Sequence, residues 1–299
     1  MKPAPPGILC IGAVLWDIIG RSPHGMAHGA DVPGRITRVP GGVAMNIAMT
    51  LRKLGLRPAV LTAIGHDEEG TELVTCCQRL GIETSFVYRS SARPTDRYLA
   101  VEDIHGLVAA IADAHSLEAA GDKILAPLAD GRLGHKTHPW NGLIALDGNL
   151  TTALLTEIAQ SPLFAAADLR VAPASPGKAE RLLPLLAHPR VTLYVNLEEA
   201  GLLCATRFDD ARTAAGSLLA RGAHRVLVTA GERECCDGRA GHDFVCGTPE
   251  KVKVHRVTGA GDALMAAHIV AERGGATRQA ALDAALRAAS AHVAGEIGT

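Results

Sequence analysis

Short apolar runs alternate with stretches of helical spacing along most of the chain, and this alternation constrains the fold more than any other feature. Strand-like runs cover residues 8–19, 59–64, 143–146, 191–195 and 226–229. Between them, residues 46–54 place Ile47, Leu51 and Leu54 on one helical face, and residues 68–80 form a helical stretch closed by Gly81. Residues 151–160 and 211–220 continue the pattern, with Gly222 just past the second. Strand-then-helix repetition implies an α/β fold, a mostly parallel sheet covered by helices.

Two regions break the alternation. Residues 21–40 carry Pro, Gly and His without a period. Residues 97–103 and 107–113 read as two strands around His105-Gly106, a hairpin that would form a flap over the sheet's edge. Residues 117–141 read as helix plus loop.

Composition narrows the classes of function. The 299 residues are 47% hydrophobic and 20% charged, with a net charge of -1, which describes a globular protein with ample core. No basic stripe with interleaved aromatics is present, so nucleic-acid binding is disfavoured. Seven cysteines include no C-x-x-C and suggest a reducing, cytoplasmic setting with no disulfide needed for folding. Residues 8–16 are apolar but interrupted by Asp17 and lack a cleavage site, which reads as a buried strand and not a signal peptide; no run reaches membrane-spanning length.

Chemistry concentrates in a few turns. Thr258-Gly259-Ala260-Gly261-Asp262 opens the helical run 263–273. Glycines before a helix aim backbone N–H groups outward at its positive end and cradle an anion. Asp262 in the same turn supplies a proton acceptor, which fits phosphoryl transfer to a hydroxyl; a helix cap is the plainer reading. Gly41-Gly42-Val43-Ala44-Met45-Asn46 puts two glycines and an amide at a second helix start. Asp17, and Asp147 with Asn149, lie at strand ends, where the ligand crevice of an open α/β sheet runs. Asn196 and Glu199 follow another strand and offer an amide and a carboxylate near a metal-bound phosphate. No P-loop, protein-kinase or G-x-S-x-G signature is present. His24/His28 and His135/His138 sit in Pro- and Gly-rich loops and are weak metal candidates.

In that order and at those separations, the motifs resemble the ribokinase-like (PfkB) carbohydrate and nucleoside kinases over nearly the whole chain. Gly41, Gly42 and Asn46 match the early signature, Gly259–Asp262 the late one, Asn196 and Glu199 the N-x-x-E element, and Thr229-Ala230-Gly231-Glu232 the strand and turn bordering the nucleotide. Within the family, residues 31–36 leading into 40–43, 95–101 followed by 107–113, and 146–150 resemble those of pseudouridine kinases.

The resemblance implies one domain over residues 1–299, a three-layer α/β/α sheet with a small β lid from about 17–40 and 95–114. It implies ATP and Mg²⁺, and a monovalent-cation site. Asp262 would deprotonate the 5′-hydroxyl of pseudouridine, with the N–H groups of Gly259, Ala260 and Gly261 holding the phosphoryl group. Asp17, Gly41, Gly42, Asn46 and Asn149 would hold ribose, and Thr95, Arg97 and Asp113 in the lid would read the base. Asn196, Thr229, Gly231, Gly259 and Gly261 would border ATP, and Glu199 would reach the metal through water. An exposed lid edge makes a homodimer plausible. Members often carry Asp or Asn before the proline matching Pro173, where this chain has Ala172. A kinase for another ribonucleoside or sugar, or a catalytically weak binding relative, are the alternatives.

Overall fold

The computed structural model describes residues 6–255 and 257–295. In chain order the strands are β1 (Ile8–Ile11), β2 (Leu15–Arg21), β3 (Arg35–Gly41), β4 (Pro58–Leu61), β5 (Ala63–Gly65), β6 (Tyr88–Ser90), β7 (Arg97–Asp103), β8 (Gly106–Asp113), β9 (Leu143–Asp147), β10 (Asp168–Ala172), β11 (Val191–Asn196), β12 (Arg225–Thr229), β13 (Cys235–Arg239) and β14 (Val245–Gly247). The helices are α1 (Val43–Lys53), α2 (Glu68–Arg79), α3 (Ser116–Ala120), α4 (Thr152–Gln160), α5 (Leu197–Cys204), α6 (Ala211–Ala220), α7 (Ala260–Arg273) and α8 (Arg278–Val293). Two 3₁₀ segments, Gly121–Leu128 and Pro176–Leu185, complete the described elements.

The main sheet has the order β14-β13-β12-β11-β10-β9-β1-β4. It is parallel from β4 to β12, and β13 and β14 turn antiparallel at one edge. Strand alternation divides its side chains between two cores. Leu9 and Ile11, Ile144 and Leu146, and Val226 and Val228 pack with α4, α5 and α6. Ile8 and Cys10, Ala145, and Leu227 point the other way, into a core shared with α1, α2, α7 and α8. Both faces of every central strand are buried, which is why these strands read as continuous apolar runs. The result is a three-layer α/β/α architecture.

A second sheet, ordered β3-β2-β7-β8, stands at the end of β1. The run 8–19, expected as one strand, is two strands in two sheets. The break falls at Gly12, whose φ of 152° takes the chain out of the main sheet. A Cβ there would sit 2.2 Å from the Asp147 carboxyl carbon, so the exit needs glycine. The region 21–40, expected to be irregular, contains β3; its exposed Ile36 and charged Arg35 and Arg38 hid the strand pattern. The hairpin at 97–113 is present as β7 and β8. The run 59–64 is interrupted at Thr62, and its second part pairs with β6.

Against the expectation that folding needs no disulfide, one is present. Cys236 and Cys246, register partners on β13 and β14, are joined by a disulfide, and five cysteines are free. Their ten-residue spacing across a hairpin is not among the C-x-x-C patterns that signal a bonded pair in sequence.

Candidate active site

Two helix N-termini meet where the main sheet adjoins the small one. Gly42 caps α1 with φ 93°, and a Cβ on it would lie 2.4 Å from the Ala13 carbonyl oxygen. Gly41 lies against the Asp17 carboxylate, leaving no room for a side chain. Gly259 caps α7 in the left-handed region, φ 89°, and the ring of His292 from α8 packs over it. Imidazole Nε2 of His292 also lies 2.8 Å from the Thr258 carbonyl, which fixes the approach to the turn.

Between these termini, Asn46 Nδ2 donates to Asp262 Oδ2 at 2.9 Å. This bond joins the two motifs across 216 residues of chain and places the proposed base beside the double-glycine turn. Asp262 is half-buried. Gly261 is exposed, and a Cβ there would meet nothing within 4 Å, so the start of α7 is open to a ligand. The N–H of Ala260 is not available to a phosphoryl group: it donates to the Val257 carbonyl at 3.1 Å. That corrects the expectation for Ala260 and leaves Gly259, Gly261 and the helix terminus itself as the anion-facing backbone.

Asp147 is a structural knot and not a ligand for hydroxyls. It is fully buried, and its carboxylate accepts from the N–H groups of Ala13 (2.8 Å), Ala44 (3.1 Å) and Asn149 (2.8 Å). Burial pushes its acid upward, against those three bonds. The knot ties the exit from β1, the first turn of α1 and the end of β9 into one unit. Asn149 emerges from it half-buried, with Oδ1 accepting from Lys178 Nζ at 2.6 Å. Lys178, on a 3₁₀ segment 29 residues away, had no sequence signal tying it to the site.

Further along the carboxyl ends, Asn196 on β11 pairs in register with Thr229 on β12. Gly231 lies two residues beyond, at φ 67° with open space around it. Asn196 and Glu199 form a reciprocal capping box at the start of α5: Asn196 Oδ1 accepts from Glu199 N, and Glu199 Oε2 accepts from Asn196 N. Glu199 is buried, and that burial pushes its acid up to about 7. Its neighbour Glu198, in the same first turn of α5, is exposed.

Three residues expected to read a ligand from the lid are placed elsewhere. Thr95 is buried, with its hydroxyl and its N–H both donating to Asp67, the N-cap of α2. Arg97 and Asp113 are cross-strand partners, ion-paired at 3.7 Å, and Arg97 also reaches Glu69 of α2 at 3.6 Å. They share a face of the small sheet with Trp16, the register partner of Arg97, whose indole N–H donates to the Glu69 carbonyl. Asp17 is the next residue along β2 and points to the opposite face. Arg97 and Asp113 therefore do not converge with Asp17. His135 and His138 pair through their backbones in a surface turn.

Residues 6–296 match the description "pfkB family carbohydrate kinase". The chain belongs to this family. It is a kinase of the sugar and nucleoside class. It is similar to a pseudouridine kinase of Escherichia coli (strain K12), with 29% identity over 268 residues, covering 87% of this chain and 81% of that protein. It is also similar to a fructoselysine 6-kinase of the same organism, with 26% identity over 239 residues, covering 79% of this chain and 83% of that protein. Among solved structures, a carbohydrate kinase from Agrobacterium tumefaciens superposes with a TM-score of 0.80 at 26% identity, covering 98% of this chain and 92% of that one. A ribokinase from Arabidopsis thaliana, complexed with ribose and ATP, gives 0.77 at 18% identity, covering 98% and 94%, and so shares the fold. No helix among the described residues is long and apolar enough to cross a membrane.

Proposed function

We propose that this kinase transfers the γ-phosphoryl group of ATP to the 5′-hydroxyl of pseudouridine. The hydrogen bond from Asn46 to Asp262 carries the reading, because it brings an acceptor-binding turn and a general base into one place. Asp262 takes the hydroxyl proton as oxygen attacks phosphorus. The N-terminal turn of α7, with Gly259 and Gly261, faces the charge on the transferring group. Asp17, Gly41, Gly42, Asn46 and Asn149 hold the ribose. Asn196, Thr229 and Gly231 border the nucleotide along the ends of β11 and β12.

Mg²⁺ supplies charge neutralisation on the phosphates when bound. The donors fit it in an outer role: Asn196 and Glu199 offer the oxygen ligands that a hard cation takes. Glu199 Oε2 accepts in the capping box, and Glu199 would hold the cation through water. Ala172, buried at the end of β10, leaves the neighbouring strand end apolar. We assign the cytoplasm as the working compartment on the strength of the five cysteines left as free thiols beside one disulfide. A homodimer through the small sheet is favoured by β8, which is exposed throughout and carries Leu107 and Ile111 at 60% and 65% exposure.

A second reading is a kinase for another acceptor, favoured by the similarity to a fructoselysine 6-kinase over 79% of the chain. Phosphate transfer from Mg·ATP to pseudouridine, uridine, ribose and fructoselysine separates the two. Turnover of pseudouridine well above the others supports the first reading; turnover of an aliphatic sugar alone rejects it.

A further inference from the structure

The register of the small sheet singles out a residue that motif reading passed over. Asp17 on β2 pairs with Tyr98 on β7, and Tyr98 pairs with Ala112 on β8. Register partners share a face and lie about 4.8 Å apart between neighbouring strands. Asp17, Tyr98 and Ala112 therefore form one row. The next row on the same face is Ile19, Ala100 and Ala110. This is the face on which the Asp17 carboxylate meets Gly41, at the turn that opens α1. The opposite face carries Trp16, Arg97 and their contacts with α2.

Two further observations agree. The Tyr98 acid is pushed up by burial first, then by Asp17 and Glu102, both on its own face. The phenol thus stays neutral and keeps its O–H as a donor. Its partner across β8, Ala112, is small and exposed, so no bulky register neighbour on that side covers the ring.

We propose that Tyr98 is the residue of the small sheet that recognises the base of the nucleoside acceptor, its ring lying along the base while Asp17 beside it holds ribose hydroxyls. This rests on the nucleoside reading above. A heteroaromatic ring offers a face for stacking on a phenol, and an aliphatic sugar offers none. Stacking is tolerant of base identity, because every base has such a face. Tyr98 consequently separates nucleosides from free sugars and does not separate pseudouridine from uridine.

The test uses steady-state kinetics and calorimetric binding of pseudouridine and uridine to the full chain and its variants. Tyr98→Ala and Tyr98→Leu should raise KM and Kd for both nucleosides by about 10- to 100-fold, the range of a lost base stack. The kcat should stay within about threefold, since the reacting hydroxyl is held by other residues. Tyr98→Phe should stay within about fivefold of wild type, having lost one hydrogen bond and kept the ring. Thermal unfolding of each variant shows whether the sheet is intact; Tyr98→Leu keeps apolar volume if Tyr98→Ala does not fold. Wild-type turnover of nucleosides, with KM and Kd unchanged in Tyr98→Leu, overturns this inference alone. A wild-type enzyme that neither binds nor phosphorylates either nucleoside overturns the nucleoside reading, and this one with it.

Discussion

The ground beneath α7 and the small sheet hold their charges in opposite ways. Under α7, Arg170 and Arg225 rise from β10 and β12 with side chains only 8% exposed, and Glu272 near the end of α7 bridges both at 2.5 Å. Asp237 on β13, fully buried, pairs with Arg225 and Arg278. His268 on α7 sits inside this network, 2.8 Å from the Tyr194 hydroxyl, and burial pushes it down to about 4, so it is neutral. At the small sheet, Arg97 and Asp113 with Glu69 of α2 are 40–52% exposed and meet at 3.6–3.7 Å. The first arrangement fixes a helix on the sheet; the second is screened by solvent and contributes little to holding the small sheet on α2. That difference suits a site with a rigid phosphoryl end and an adaptable acceptor end.

The largest effect is expected at the tip of the rigid region. Asp262→Asn should lower kcat by about 10²–10⁴-fold, the range for a lost general base, with acceptor KM changed far less. Asparagine keeps the shape and can still meet Asn46, so the loss reads the proton acceptor and not the contact. A variant with wild-type kcat would show that α7 positions phosphate without supplying the base.

Next comes the network itself. Glu272→Ala removes the carboxylate shared by two buried guanidinium groups, which keep Asp168 and Asp237 as their acidic partners, and breaking one partner of a buried pair costs up to about 3–5 kcal/mol. Urea unfolding should show a loss of that size. A loss below about 1 kcal/mol would mean that water reaches the arginines and that the contrast between the two regions is smaller than their exposure indicates.

Glu199 gives a pH-dependent version of the same comparison. Its folded acid lies at about 7 against an ordinary 4.5, raised chiefly by burial. A raised acid stabilises the fold fully below about pH 4.5, and that contribution fades as pH rises through about 7. Relative to Glu199→Gln, which preserves the capping box, wild type should lose about 2–3 kcal/mol between pH 5 and 8. Mg·ATP should shrink this dependence if Glu199 faces the cation, because the cation favours the ionised carboxylate. Parallel stability curves for the two proteins would place Glu199 in a wetter setting.

What the sequence made legible was local. The glycines and polar residues of both signatures are contiguous, so Gly42, Asn46, Gly259 and Asp262 were readable, and so was the strand-helix alternation. What it hid was register and partnership. β10 and β13 carry Arg170 and Asp237 in buried strands, and their charge broke the apolar pattern because the compensating groups, Glu272 and Arg225, lie 102 and 12 residues away. Residues 97 and 98 differ by one position, and in a strand one position exchanges the faces. Resemblance over 95–113 pointed to the hairpin, but only its pairing with β2 shows that Tyr98, and not Arg97, stands beside Asp17.

The smallest effect therefore belongs to the pair that motif reading favoured. Arg97 and Asp113 are half-exposed, meet at 3.7 Å and face away from Asp17. An ion pair of that kind contributes about 0.2–1 kcal/mol, because solvent screens it and two long side chains lose freedom in forming it. Arg97→Ala and Asp113→Ala should each change stability by less than about 1 kcal/mol. Neither should alter the ratio of kcat/KM between pseudouridine and uridine beyond about twofold, since neither side chain lies on the face that meets the acceptor. Adding salt to the wild type should mimic the stability change, because the same attraction is being screened. A large fall in that ratio for Asp113→Ala alone would reverse the assignment of faces: the small sheet would then have to turn over or shift its register when the acceptor binds, and the exposed edge would be a moving part of recognition.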